Sequence, residues 1–190
     1  MVEINAVFVY GTLKPGEAYY QKYCQPYVQQ AIPAQVQGCL YHLPQGYPAL
    51  TQGENWVQGS LLKLLPDTDL SIIDQFEGYD PAQPASQNEY QRLTRPVYSL
   101  AEACLGQAWA YVMADFRVAL YGGILIPEGY WSRTLWTSIS PLALMPPCPR
   151  NRVETDAIRL GQGCCSQGWW GLGDFRADLD RHLIGLRPQH

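Results

Sequence analysis

Apolar residues along this chain fall into short runs separated by turn residues, and this pattern predicts a fold that is rich in short strands. The first run, Val-Phe-Val at residues 7–9, has the β-branched and aromatic composition of a strand buried on both faces. Later runs predict strands at residues 36–43, 56–64, 89–98 and 107–113, and a closing strand or loop at residues 124–131.

Helical spacing of apolar residues occurs at two places in the same part of the chain. Residues 17–27 carry a tyrosine-rich stripe that predicts a short helix. The clearer helix has a candidate N-cap at Asp67 or Thr68 and a glycine stop at Gly78. The chain has 17 glycines and 15 prolines, so many turns are expected between these elements.

Glu77 occupies an unusual position on the second helix. It follows Leu70 by seven residues and Ile73 by four, so helical periodicity places it on the apolar face. Burial there and the negative end of the helix dipole near Gly78 would both raise the pKa of the carboxyl group toward neutrality. Such a glutamate can take up and return a proton, which makes Glu77 a candidate general acid/base. The alternative is a structural glutamate that reaches solvent or pairs with an arginine such as Arg92.

The first strand runs directly into a turn at residues 10–16, with the sequence Tyr-Gly-Thr-Leu-Lys-Pro-Gly. Gly11 permits a bend or a close backbone approach, and Tyr10 and Thr12 add hydroxyl groups. A strand that ends in such a loop can direct several N–H groups at one anionic ligand. The stretch is not a phosphate-binding loop of the GxxxxGK[ST] kind, because its lysine precedes the second glycine.

Composition and charge exclude several classes of partner. The chain has 190 residues, of which 47% are hydrophobic and 16% charged, and this indicates one globular domain rather than a disordered chain. A formal net charge of -4 and scattered basic residues give no overall attraction to nucleic acid or to an anionic membrane. The first residues carry no basic segment followed by a long apolar run, so we expect a cytoplasmic protein whose six cysteines are reduced.

The spacing of cysteine, histidine and glycine gives no support for a metal or a nucleotide cofactor. Cys148, Cys164, Cys165 and His182 form no CxxC pair, and adjacent cysteines are poor ligands for one tetrahedral metal. The glycines at residues 168–173 lack the GxGxxG order of a dinucleotide site. No histidine lies in a motif that would activate a nucleophilic cysteine or serine.

Five short pieces of the chain form a specific pattern through their order and spacing. They are Tyr10-Gly11-Thr12-Leu13-Lys14-Pro15-Gly16, Tyr47-Pro48-Ala49, Val57-Gln58-Gly59, Ile73-Asp74-Gln75-Phe76-Glu77-Gly78-Tyr79 and Tyr90-Gln91-Arg92. This set resembles the γ-glutamylcyclotransferase-like family, and most closely its branch of γ-glutamylamine cyclotransferases and avirulence-induced relatives. The resemblance covers roughly residues 6–133, and Gly129-Tyr130-Trp131 resembles the closing segment of the family.

The resemblance implies an α+β fold, in which a small, strongly bent β-barrel with flanking helices holds the ligand at one mouth. It also implies that Tyr10, Gly11, Thr12 and Leu13 form the substrate loop and that Glu77 is the catalytic acid/base. In such enzymes the α-amino group of a γ-glutamyl substrate attacks its own γ-carbonyl, releasing 5-oxoproline and an amine or amino acid. The implied partner is this small molecule, and the reaction needs no metal or other cofactor.

The segment at residues 134–190 departs from the family pattern. We therefore expect a γ-glutamylcyclotransferase-like domain at residues 1–133 and a C-terminal extension that packs on its core, with a proline-containing linker at 141–149 and a helix at 174–186. An alternative function is a non-catalytic binding module on the same fold, with the extension as a docking element or a cover over the mouth. A third possibility is removal of a γ-glutamyl group from a larger carrier. The leaving group and the oligomeric state stay open.

Overall fold

The computed structural model describes residues 4–138. In this part of the chain, six strands and four short helices follow one another. They are β1 (Ala6–Val9), α1 (Tyr20–Tyr23), β2 (Val28–His42), β3 (Pro48–Leu64), α2 (Ser71–Phe76), β4 (Gln91–Tyr98), β5 (Cys104–Val112), α3 (Asp115–Leu120), β6 (Ile124–Leu125) and α4 (Arg133–Ser138), with a 3₁₀ turn (Gln25–Tyr27) between α1 and β2. None of the described helices is long and apolar enough to cross a membrane.

Five of the strands close into a mixed β-barrel. Their order is β3-β1-β5-β4-β2, and the pairing of β2 with β3 closes the ring, while β6 adds to the outer edge of β2. The pairing of β1 with β5 is parallel and the other pairings are antiparallel. The predicted α+β fold with a small bent barrel and flanking helices is confirmed.

Side-chain alternation along β1 separates two apolar clusters. Phe8 and Tyr10 join a cluster that takes side chains from all five barrel strands, which is the arrangement of a barrel interior. Val7 and Val9 point the other way and join a cluster that includes side chains from the helices and loops outside the strands. Burial of apolar surface stabilises a fold by about 25 cal/mol per Å². Both sides of β1 bury apolar side chains and therefore contribute to stability.

Several elements differ in length from the prediction. The strands β2 and β3 are longer than expected, because they pair with each other over most of their length as one long hairpin. This hairpin contains two register shifts. The helix α1 is shorter, because the Tyr19 N–H donates to the Thr12 carbonyl (3.1 Å) and the preceding residues form turns instead. The sequence pattern missed α3, on which only Val118 is buried.

The predicted C-terminal extension lies mostly outside the described residues. Of residues 134–190, only 134–138 are described, within α4. The predicted linker at 141–149 and the predicted helix at 174–186 both lie outside the described part of the chain.

Candidate active site around Glu77

Tyr10 follows β1 directly, and its buried side chain forms hydrogen bonds that hold the fold together. Its hydroxyl donates to the Tyr111 carbonyl (2.8 Å) and accepts from the Leu50 N–H (3.2 Å). Burial raises the pKa of Tyr10, and the nearby Glu77 carboxyl raises it further. The hydroxyl that the sequence offered as a ligand group is thus already engaged, and it ties β1 to β3 and β5.

The loop after Tyr10 turns sharply at Gly11. The Lys14 N–H donates to the Gly11 carbonyl (3.0 Å), which closes a β-turn over residues 11–14. A Cβ atom at Gly11 would lie 2.5 Å from Cγ of Pro48, so only glycine allows this close approach. Leu13 packs its side chain into the outer apolar cluster. Within residues 4–138, the N–H groups of Gly11, Thr12 and Leu13 have no backbone acceptor.

Glu77 caps the C-terminus of α2, and Gly78 follows it with φ of 61°. The side chain keeps partial access to solvent although protein atoms surround it closely. Burial raises the pKa of Glu77 to about 8, and the nearby Glu89 carboxylate contributes to the rise. The sequence predicted the direction of this shift from burial and the helix end, but not the second carboxylate.

Titratable groups from several elements of the described fold lie close enough to interact electrostatically with Glu77. They are Tyr10 after β1, Cys24 after α1, Tyr47 between β2 and β3, Glu89 and Tyr90 before β4, and Tyr111 on β5. Burial and the charge of Glu77 raise the pKa of the Cys24 thiol to about 12, so the thiol stays protonated and is no nucleophile at neutral pH. The surroundings of Glu77 are therefore phenolic and acidic.

Glu89 is the second carboxylate of the site, and two contacts fix it there. Its Oε1 accepts a 2.7 Å hydrogen bond from the Tyr47 hydroxyl, and its N–H donates to the Gly78 carbonyl (3.0 Å). The preceding loop is closed by Asp80 and Asn88, since each donates to the other at 3.0 Å. This closure brings Glu89 back beside the end of α2.

Asp74 lies on the same helix as Glu77, one turn earlier, and anchors that turn to two strands. Its Oδ1 accepts from the Tyr111 hydroxyl (2.7 Å), and its Oδ2 forms an ion pair with Nη1 of Arg92 (2.9 Å). Burial raises the pKa of Asp74. The hydrogen bond from Tyr111 and the charge of Arg92 lower it, but burial has the larger effect. The sequence allowed an ion pair between Arg92 and Glu77. In the structure, Arg92 pairs with Asp74.

Lys14 connects the loop to the closing segment of the barrel. Its buried ammonium group donates to the Trp131 carbonyl and lies 4.2 Å from the ring centroid of Tyr130. The Trp131 indole N–H in turn donates to Nδ1 of His42 (3.1 Å), and the His42 ring stacks on Trp136 at 4.1 Å. The segment that contains Gly129-Tyr130-Trp131 therefore packs against the loop after β1.

The sequence predicts Glu77 and the loop after β1 as site residues, but it does not predict Glu89 or Asp74 in that role. The spacing of Asp74 three residues before Glu77 was a usable signal, because both then share a helix face. No periodic signal reveals Glu89, because its place depends on how the loop at residues 79–88 closes. Within residues 4–138, no three His, Cys, Asp or Glu side chains come together as a metal site.

The chain is similar to known proteins over the part that carries this site. The family model described as gamma-glutamyl cyclotransferase, AIG2-like, matches residues 7–133. Among solved structures, an AIG2-like protein from Mus musculus is 20% identical with a TM-score of 0.52, over 79% of this chain and 99% of that one. An allophanate hydrolase from Kluyveromyces lactis is 12% identical with a TM-score of 0.50, over 71% of this chain and 21% of that one.

A third solved structure, YkqA from Bacillus subtilis, is 19% identical with a TM-score of 0.46, over 68% of this chain. The chain spans 40% of that longer protein. The comparison with curated proteins gave no match. At these identities, the likeness to the mouse and yeast structures shows a shared fold and nothing further about chemistry.

Proposed function

The chain belongs to the AIG2-like gamma-glutamyl cyclotransferase family, and we propose that it cleaves a γ-glutamyl amine or γ-glutamyl amino acid by internal cyclisation, releasing 5-oxoproline. The observation that carries the proposal is Glu77, a partly accessible carboxyl group whose pKa is raised to about 8 among phenolic side chains. A carboxyl group with this pKa can exchange protons near neutral pH, which cyclisation of an amino acid derivative requires.

The proposed reaction moves two protons from the α-ammonium nitrogen of the substrate to the leaving nitrogen. The Glu77 carboxylate takes a proton from the α-ammonium group of the substrate, and the freed amine nitrogen attacks the γ-carbonyl carbon. A C–N bond forms and closes the five-membered ring. Glu77 then gives this proton to the leaving nitrogen as the original amide C–N bond breaks and the carbonyl re-forms. The restored carboxylate takes the second proton from the ring nitrogen and passes it to the free amine, which leaves as an ammonium ion. Protons and electron pairs balance without a co-reactant, so this scheme includes no metal or other cofactor.

The loop after β1 has the groups to hold the negative ends of such a substrate. The N–H groups of Gly11, Thr12 and Leu13 are free of backbone acceptors in the described part of the chain, so they are available for the α-carboxylate or for the oxyanion. The Tyr10 hydroxyl donates to the Tyr111 carbonyl, so in this proposal Tyr10 positions the loop and does not bind the substrate through its hydroxyl. Holding the substrate in a folded shape supplies much of the rate gain in a cyclisation.

The same proposal places the enzyme in the cytoplasm. Cys24, Cys39 and Cys104 are free thiols, which is the state that a reducing compartment maintains. Its partner there would be the small γ-glutamyl substrate.

Incubation with a panel of γ-glutamyl amines and γ-glutamyl amino acids, followed by chromatographic detection of 5-oxoproline, tests the proposal. Turnover is expected with at least one compound, and Glu77→Gln should reduce it by roughly 100-fold or more, as expected for loss of general acid/base catalysis. Glu54→Gln is the matched control, because Glu54 is an exposed glutamate on β3. Folded protein that gives no 5-oxoproline with any compound would favour the binding-module alternative.

A further inference from the structure

Two carboxyl groups lie close together at this site, because the Glu89 N–H donates to the carbonyl of Gly78, the residue that follows Glu77 (3.0 Å). Glu89 is the only charged group of the described residues that perturbs the pKa of Glu77, and it does so as a like charge. Two basic side chains of the surrounding elements are used elsewhere, because Arg92 pairs with Asp74 and Lys14 donates to Trp131. A pair of enclosed carboxylates is costly unless one is protonated or a cation lies between them.

The fold holds Glu89 in place instead of letting it turn to solvent. Tyr47 donates to its Oε1, and the backbone bond to Gly78 fixes its Cα beside the end of α2. Within residues 4–138, no hydrogen bond reaches Oε2. A carboxylate that is held by one oxygen and open at the other can accept from a ligand.

We propose that Glu89 binds the α-ammonium group of the substrate and holds it beside Glu77. The inference rests on the proposed function, which brings a γ-glutamyl head group to this site. That head group carries one cation, and an ammonium group has three N–H donors, enough for Oε2 of Glu89 and for the Glu77 carboxylate together. The arrangement places the nitrogen that must lose a proton next to the group that takes it, and Glu89 transfers no proton itself.

The role of Glu89 predicts two separate kinetic effects for Glu89→Gln. Loss of a charge-assisted hydrogen bond should raise KM by roughly tenfold or more. Loss of the negative charge should also lower the pKa of Glu77, because the Glu89 carboxylate contributes to raising it. The acid limb of kcat/KM should therefore move to lower pH, since the Glu77 carboxylate then forms at lower pH.

Tyr47→Phe separates orientation from charge. It removes the donor to Oε1 and keeps the carboxylate of Glu89, so KM should rise while the acid limb of kcat/KM stays in place. Glu54→Gln removes one exposed carboxylate and should change neither quantity. Thermal unfolding of each variant confirms that it is folded. If Glu89→Gln behaves like Glu54→Gln in both KM and acid limb, the inference is wrong.

A binding measurement keeps this inference separate from the proposed function. On a Glu77→Gln background, calorimetry compares γ-glutamyl methylamide with glutaric acid monomethylamide, in which hydrogen replaces the α-ammonium group. We expect the ammonium compound to bind roughly tenfold or more tightly, and Glu89→Gln to remove this preference. Absence of turnover together with an intact Glu89-dependent preference would refute the reaction alone. A preference that survives Glu89→Gln, or no preference at all, would refute the inference.

Discussion

Asp74 accepts a 2.7 Å hydrogen bond from the Tyr111 hydroxyl one helical turn before Glu77. The same carboxylate pairs with Arg92, so a single side chain of α2 is bound to both β4 and β5. Because α2 has only six residues, its own hydrogen bonds do little to fix it, and tertiary contacts of this kind determine where its end lies. The position of Glu77 therefore depends on Asp74.

Asp74→Asn should lower kcat by roughly tenfold with little change in KM, because the end of α2 moves while the loop after β1 stays in place. The variant keeps an acceptor for Tyr111 and loses the ion pair with Arg92, at a cost of about 1–3 kcal/mol in unfolding free energy. Steady-state kinetics and urea unfolding measure the two effects. Asp69→Asn is the matched control, since Asp69 is exposed, lies just before α2 and accepts from the N–H and the hydroxyl of Ser71. A stability loss with unchanged kcat would show that Asp74 is structural only.

Glu77 should make the protein less stable as pH rises from about 4.5 to about 8. Its pKa is raised from 4.5 to about 8 on folding, so the unfolded chain loses this proton first and the folded state alone retains it across that window. The unfolding free energy of the wild type should fall relative to that of Glu77→Gln by at most about 1.4 kcal/mol per pH unit. Urea unfolding of both proteins at several pH values measures the difference, and parallel curves would contradict the raised pKa.

Gly11→Ala should damage both the loop and the fold. The new Cβ would lie 2.5 Å from Pro48 Cγ, so the loop or the proline must move, at a cost of about 1–3 kcal/mol. A displacement of the loop N–H groups of about 1 Å would lower turnover by roughly 100-fold. Gly16→Ala is the control in the same loop: its φ of 87° costs roughly 1 kcal/mol, but nothing lies within 4 Å of its Cβ position. Equal loss of turnover in both variants would argue against the close contact with Pro48.

His42 should make the protein less stable at acid pH. Burial lowers its pKa, and its Nδ1 must stay unprotonated to accept the hydrogen bond from Trp131. A lowered pKa in the folded state gives stability above the unfolded pKa of about 6.5 that is lost as pH falls below it. The wild type should therefore lose stability relative to His42→Asn between pH 7 and pH 5. Tryptophan fluorescence during unfolding reports this loss, and a pH-independent difference would rule it out.

The sequence by itself determined the fold class, the loop after β1 and the identity of Glu77 as the candidate acid/base. These features depend on local signals: a buried strand that ends in a glycine turn, and a helix of 3.6-residue period that places a glutamate on its apolar face. The order of the motifs also predicted the family and the β-barrel. Each signal lies within a few residues of the feature that it predicts.

Only the tertiary structure decided which groups meet at Glu77. Glu89 is twelve residues away from Glu77 in the chain and reaches it through the loop that Asp80 and Asn88 close. The Tyr10 hydroxyl, which the sequence suggested as a ligand group, instead forms hydrogen bonds with Leu50 and Tyr111, on strands that lie far along the chain. Such long-range contacts follow from barrel closure and loop packing, which no local period encodes, and they determine the pKa of Glu77 and the charge beside it.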